Sequence, residues 1–285
     1  MTSNPESTRA ATLSANIQVH AYLANAGEYQ KSPHFRPENQ EKIRAIVRRL
    51  SADLQGRPGN KVVDFGCGTG FLIDLMHDLF SEVHGVDITQ DMMKHVNLRG
   101  GKVRLHECQA EKTPFPDNHF EFATAYSFMD HLFDYRDFLR EAHRVLKPGG
   151  VFYVDLNPNR AFIQAIEQAA LAGAAGLSGI VEREILGALH NGTYYEQNFG
   201  LNATLLEAAE PIKSNDKGFD AAEVIAVARE LGFASCRFEC EWFLGQANVM
   251  HQQSMEDAAT IEKYLLSVLP VSSRLYKYLR FVFVK

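Results

Sequence analysis

The sequence predicts an α/β protein built on a doubly wound, largely parallel sheet. Three observations carry that expectation. The stretch KVVDFGCGTGFL, Lys61 to Leu72, reads as a strand, a glycine turn and the start of a helix. A second apolar run, SEVHGVDIT, ends on Asp87, about 20 residues past the glycine turn, where this architecture places an acidic side chain. Short β-branched or aromatic runs then alternate with helical periodicity as far as Pro158, which implies right-handed crossovers between parallel strands.

The first of these organises the rest. Val62, Val63 and Phe65 are too short a run for a helix and contain no breaker, so they form a buried strand with Asp64 inside it. Gly66, Gly68 and Gly70 follow at alternate positions, and helical spacing resumes at Phe71, Leu72, Leu75 and Met76. Glycines there let the backbone approach a ligand closely and take dihedrals that side chains forbid. The helix N-terminus adds free N–H groups that suit anionic atoms. Such a corner binds adenosine ligands. A dinucleotide loop usually reads G-x-G-x-x-G; here the third glycine comes one residue early and Phe71 holds the later position.

The remaining elements follow in order. Residues 1–16 read as flexible, and IQVHAYLANAGEY, Ile17 to Tyr29, as mildly amphipathic. A helix spans about Pro37 to Leu54, with Ile43, Ile46, Val47 and Leu50 on one face. QGRPGN breaks the chain before the first strand. QDMMKHVNL is a short helix, KVRLHEC a third strand and FEFATAYS a fourth. DYRDFLREAHRVL is a helix capped by Asp134 and stopped by KPGG; VFYVDLNP is the fifth strand. KGFDAAEVIAVARELGFASCRFECEWFL reads as helix then strand, with Asp220 and Glu223 as a capping box and Val224, Val227 and Leu231 as the buried stripe. Cys236, Phe238 and Cys240 share one strand face, expected to pack. YLRFVFVK is the last strand, with Arg280 and Lys285 at exposed ends. The organisation expected is a lid segment over residues 1–36, a core over 37–158, a helical insertion over 159–216 and completion of the sheet over 217–285.

Composition excludes several classes. Of the 285 residues 46% are hydrophobic and 22% charged, the balance of an ordinary globular domain. A net charge of −6 offers no global attraction to nucleic acid or anionic lipid. Cys67, Cys108, Cys236 and Cys240 have neither metal spacing nor the density of a disulfide framework, so they read as reduced thiols. Residues 1–20 lack the apolar segment of a signal peptide, and no run is long enough to span a membrane. The expected location is the cytoplasm, and no metal set stands out.

VVDFGCGTG, HGVDIT, PFPDNHFEF, SFMDHL and HRVLKPGGVFYVDL, in that order between Asp64 and Pro158, resemble the class I S-adenosylmethionine-dependent methyltransferases, specifically the ubiquinone/menaquinone-biosynthesis type and related small-molecule enzymes. The resemblance implies a Rossmann-like sheet of seven strands in the order 3-2-1-4-5-7-6, the seventh antiparallel, with S-adenosyl-L-methionine as cofactor. It also assigns residues. The backbone of Gly66, Cys67, Gly68, Thr69 and Gly70 would meet the methionine moiety and ribose, with Asp64 fixing the loop or reaching the methionine ammonium through water. Asp87, beside Ile88, would accept from the ribose hydroxyls, and Met92 would lie against adenine. Gln109 stands where the family usually has an Asp for the adenine amine, followed by Ala110 and Glu111; its carbonyl accepts the same bond without charge. Tyr126, Ser127 and Met129 would line the cofactor, and Tyr29 would cover the sulfonium by a cation–π contact. His131 and Asp130, just past the fourth strand, are the candidate catalytic residues, His131 as proton acceptor.

The acceptor is expected to be a small molecule. The loop after the fourth strand is AYSFMD, without the Asn/Asp-Pro-Pro-aromatic motif of nucleobase amino methyltransferases. The insertion and the tyrosines Tyr22 and Tyr29 read as a substrate-selecting lid, and Tyr194, Tyr195, Trp242 and Phe243 suggest a moderately apolar acceptor. A structural elaboration or homodimer contact is the alternative for the insertion. Two other functions stay open at this stage. One is a non-catalytic S-adenosylmethionine-binding protein. The other is an NAD-dependent oxidoreductase, which the missing late glycine and the absence of any Tyr-x-x-x-Lys pair disfavour.

Overall fold

The computed structural model describes residues 5–26, 33–54, 59–172, 178–188, 196–197 and 200–285. Seven strands form one sheet: β1 (Lys61–Phe65), β2 (Glu82–Asp87), β3 (Val103–Glu107), β4 (Phe120–Tyr126), β5 (Leu146–Pro158), β6 (Ser235–Phe243) and β7 (Tyr276–Val284). Their order is β3-β2-β1-β4-β5-β7-β6, as the family resemblance implies. β1 to β5 pair in parallel, whereas β7 runs antiparallel to both β5 and β6. The carboxyl ends of β1 to β4 therefore share one edge, where Gly66, Ile88, Cys108 and Ser127 begin the loops that carry the site.

Alternation along the strands divides the core between two faces. Phe65, Ala123, Phe152 and Phe281 face α5 (Tyr135–Val145) and α10 (Ala221–Glu230), where Phe65, Phe138 and Phe152 meet edge to face. Val62, Val83, Phe122 and Tyr153 face α2 (Pro37–Leu50) and α3 (Phe71–Met76). Asp134 caps α5 as expected, accepting from the Arg136 N–H at 2.9 Å. α4 (Gln90–Met93) is only one turn of the helix expected there.

Several expectations need correction. Residues 5–16 are not loose: they begin α1 (Pro5–Ala26), a single helix. Ala15 and Val19 of α1 pack on Leu206 and Ala209 of α8 (Ala203–Ala209), while Thr12 and Asn16 are also turned inward. Polar residues on the buried face erase the apolar period that would have announced the helix. The capping box at α10 is half formed. Asp220 accepts from the Ala222 and Glu223 N–H groups, but the Glu223 carboxylate reaches Arg160 at 2.8 Å rather than back to the cap. The buried stripe of α10 is Val224, Ile225 and Ala228, with Val227 and Leu231 partly buried beside it. Arg280 is not at an exposed strand end. It is 2% exposed and lies against Asp155 at 2.9 Å, Glu241 at 2.5 Å and Glu239 at 3.1 Å, which together offset its burial. Phe238 is 47% exposed because β6 is the outer strand, while Cys240 on the same side is buried. All four cysteines are unbridged.

The insertion divides in two. α6 (Arg160–Leu171) and α7 (Gly179–Ala188) pack on each other, with Ile185 and Leu244 against the buried Phe162, Ile163 and Ile166. α8 and α9 (Pro211–Asn215) instead pass behind the loop that follows β4, and α8 supports α1. α11 (Gln246–Gln252) and α12 (Met255–Ser267) complete the chain before β7. No described helix is long and apolar enough to cross a membrane.

Candidate active site

A cavity of about 290 Å³ opens at the carboxyl edge of β1, β2 and β4 and is closed on its far side by α1. That volume lies near the lower end of the small-molecule range. Its floor is the glycine turn. Gly66, Gly68 and Gly70 all have positive φ, at 65°, 51° and 91°, which no other residue type adopts without strain. At Gly66 there is a second reason: a Cβ there would fall 2.1 Å from the Phe128 ring. The turn is fixed by backbone bonds, Cys67 N–H to the Val86 carbonyl at 3.0 Å and Gly70 N–H to the Cys67 carbonyl at 2.8 Å.

Asp87 forms one wall. Its Oδ2 accepts from the Gly68 N–H at 2.9 Å and its Oδ1 from the Thr89 N–H at 2.8 Å. One carboxylate thus clamps the glycine turn to the start of α4. The Thr89 hydroxyl and the Ile88 N–H also act on this carboxylate. Burial raises its pKa, against the backbone bonds from Thr89 and Gly68. Ile88 and Met92 give the wall an apolar face, and Gln109, Ala110 and Glu111 continue it beyond β3. Burial raises the Glu111 pKa as well, with Arg9 pulling the other way.

The loop after β4 supplies the third wall through Ser127, Phe128, His131, Leu132 and Phe133. Ser127 has φ 51°, and its N–H donates to the Asp155 carbonyl at 3.0 Å. Phe128 packs edge to face on Phe138, with centroids 5.2 Å apart, which holds its ring across Gly66. His131 Nδ1 lies 3.0 Å from the Ala209 carbonyl and so donates its hydrogen to it; in the neutral ring Nε2 is left as an acceptor.

The cavity wall brings together ten of the residues expected to bind or act: Gly66, Gly68 and Asp87; Ile88, Met92 and Gln109; Ala110, Glu111, Ser127 and His131. Others lie behind it. Asp64 is buried, accepts from the Thr124 hydroxyl at 2.6 Å and has its pKa pushed up to about 7 by that burial. It braces β1 against β4 and does not line the cavity. Cys67 is turned toward Gly85, and burial pushes its thiol up. Thr69 and Gly70 lie outside the wall, Gly70 against Val96. Tyr126 accepts from Asn39 Nδ2 at 3.0 Å in the α2 side of the core, and Met129 is fully buried on the other. Asp130, expected to be catalytic, is buried beside α9 and does not line the cavity. Burial raises its pKa, against the neighbouring His131. Trp242 and Phe243 are core residues of β6, away from the cavity. Tyr29, Tyr194 and Tyr195 lie outside the described residues.

Sequence reasoning read residues 1–36 as a lid segment but named neither Phe128 nor Arg9, Thr12, Leu13, Asn16 and His20 of α1, all of which line the cavity. Spacing held a signal for α1: Thr12, Asn16 and His20 recur every four residues and share a helical face. No described residue of the insertion reaches the cavity; its Ala209 acts from behind, through His131. Among the described residues no His, Cys, Asp and Glu group could hold a metal ion.

Residues 63–154 match the family described as a methyltransferase domain. The chain is 34% identical over 115 residues to a probable S-adenosylmethionine-dependent methyltransferase of Mycolicibacterium smegmatis, covering 40% of this chain and 43% of that protein. It is 38% identical over 118 residues to the ubiquinone/menaquinone biosynthesis C-methyltransferase UbiE of Ectopseudomonas mendocina, covering 38% of this chain and 46% of that one. The chain thus spans somewhat less than half the length of these curated relatives. Among solved structures it resembles the phosphoethanolamine N-methyltransferase 2 of Haemonchus contortus bound to S-adenosyl-L-methionine, with TM-score 0.53 and 14% identity over 90% of this chain and 59% of that one. It also resembles a methyltransferase of Archaeoglobus fulgidus, with TM-score 0.51 and 17% identity over 86% of this chain and 94% of that one. At such identities the structures show the fold alone. The family model places a methyltransferase domain over residues 63–154, the stretch that the sequence relatives also resemble.

Proposed function

We propose that the protein is an S-adenosylmethionine-dependent methyltransferase acting on a small-molecule acceptor. The observation that carries this reading is Asp87, whose carboxylate is held by the Gly68 and Thr89 N–H groups beside the glycine turn. A carboxylate already oriented by backbone donors at the end of β2 suits a pair of ribose hydroxyls. The rest of the wall fits the same ligand. Met92 and Ile88 offer an apolar surface to adenine, and Gln109 an amide to its edge. When bound, the cofactor supplies an electrophilic methyl group on a sulfonium.

This chain's own residues then position and exclude. α1 lies over the cavity as its lid and keeps water from the reacting atoms. His131 is oriented by its bond to the Ala209 carbonyl, so that Nε2 can hold a proton released by the acceptor. A small acceptor is favoured over nucleic acid by the net charge of −6. Cytoplasmic action accords with four unbridged cysteines.

Calorimetric titration with S-adenosylhomocysteine tests the cofactor assignment. Asp87→Ala is expected to weaken binding at least tenfold with the protein still folded, and an unchanged affinity would overturn the ribose role. Incubation with methyl-labelled S-adenosylmethionine and cell extract tests the acceptor class: label in small molecules is expected, and label in RNA refutes it. In that assay His131→Ala should abolish transfer while cofactor affinity holds; a retained rate makes His131 a scaffold.

A further inference from the structure

The α1 side of the cavity carries hydrogen-bonding atoms that the cofactor reading leaves unused. Asn16 is 5% exposed and lines the cavity. Its Nδ2 donates to two carbonyls, Thr12 at 3.1 Å and His131 at 2.9 Å, so the amide orientation follows from its partners. Both donor positions are thereby spent. Its Oδ1 is buried and has no partner. A buried acceptor in that condition is costly unless a ligand completes it.

Two more acceptors adjoin it. His20, one helical turn on, lies 2.9 Å through Nδ1 from the Asn16 carbonyl and donates its hydrogen there. Burial and the neighbouring His131 lower its pKa to about 4, so its Nε2 carries a lone pair at neutral pH. His131, with Nδ1 committed to Ala209, likewise has Nε2 as an acceptor when neutral. The two rings meet edge to face, with centroids 4.8 Å apart. Neither Nε2 has a hydrogen-bond partner among the described residues. Asn16, His20 and His131 therefore carry unspent acceptors on this wall, and the Thr12 hydroxyl beside them can turn as donor or acceptor. Among the described residues the one cation on this wall, Arg9, is paired with Asp137 at 2.8 Å.

We propose that this wall is the methyl-acceptor subsite and that it takes a hydrogen-bond donor, a hydroxyl, phenol or amine carrying at least one hydrogen. Groups that present only acceptors, such as a phosphate, a carboxylate or a quinone carbonyl, would set lone pair against lone pair there. Asn16 and His20 are positioning residues: the ligand's hydrogen rests between its heteroatom and Asn16 Oδ1, and the rings of His20 and His131 flank it. The word acceptor rests on the methyltransferase reading; the donor preference does not.

Phenol and anisole are the probes, since methylation removes the donor and keeps the ring. In protein with 15N-labelled histidine, phenol should shift the Nε2 resonances of His20 and His131. Its affinity should exceed that of anisole at least tenfold, the effect of satisfying one buried acceptor. Asn16→Leu should reduce that gap to threefold or less. If this variant does not fold, His20→Phe, which keeps a ring against His131, should reduce the gap in the same way. S-adenosylhomocysteine should leave phenol binding in place. Equal binding of phenol and anisole, or displacement of phenol by S-adenosylhomocysteine, overturns the proposal. Donor preference without any binding of S-adenosylhomocysteine would keep the subsite and sink the methyltransferase reading instead.

Discussion

Phe128 lies across Gly66, and the pair allows a quantitative test of the glycine turn. In Gly66→Ala the new Cβ would sit 2.1 Å from Phe128 Cδ2 and 2.5 Å from Cγ, on backbone with φ 65°. The left-handed conformation costs an L residue about 1–2 kcal/mol. Overpacking against a ring held by Phe138 adds about 1–3 kcal/mol. Gly66→Ala should thus lower the unfolding free energy by about 2–5 kcal/mol, the sum of those terms. Phe128→Ala removes the ring but not the strained φ. In that background Gly66→Ala should cost only about 1–2 kcal/mol, leaving a coupling of about 1–3 kcal/mol between the two sites. Urea unfolding of the four proteins in the cycle measures it. Additivity within about 0.5 kcal/mol would refute the placement of Phe128 over the turn.

Two further predictions concern buried charge. Asp64, pushed up to about 7 by burial, binds its proton more tightly folded than unfolded. It therefore supports the fold below about pH 4 and loses that support as pH rises through about 7. Asp64→Asn, which keeps an acceptor for Thr124, should flatten this decline by up to about 4 kcal/mol between those limits, read by urea titrations at pH 4 and 8. A parallel pH dependence in the two proteins would show that Asp64 ionises freely in the fold. Arg280→Met leaves Asp155 buried without its cation and Glu241 with Lys42 alone, and unfolding should become easier by about 3–5 kcal/mol; a loss under about 1 kcal/mol would mean that Asp155 finds another partner or a proton.

What the sequence made legible follows from where the chemistry is local. The turn at Gly66, Gly68 and Gly70 and the acid at Asp87 belong to a contiguous strand–turn–helix unit, so spacing alone located them. The alternation of strands and helices through β5 was legible for the same reason, but the order β3-β2-β1-β4-β5 came only with the family resemblance, because the connection from β3 to β4 passes over β2 and β1 and no local pattern marks it. The first half of α1 was illegible because its period is carried by polar residues. Thr12, Asn16 and His20 mark a helix face only when it is known that this face turns toward a cavity rather than toward water. Arg280 misled in the opposite direction: a charge near a strand end normally faces solvent, and only the convergence of Asp155 and Glu241 from two other strand positions permits its burial. Asp130 and His131 are adjacent in sequence yet face different surroundings, one buried beside α9 and one on the cavity, because a single turn of 3₁₀ helix over Met129–His131 points successive side chains apart. Sequence could nominate both; the backbone between them separates their surroundings, with His131 on the cavity wall and Asp130 in the packing behind it.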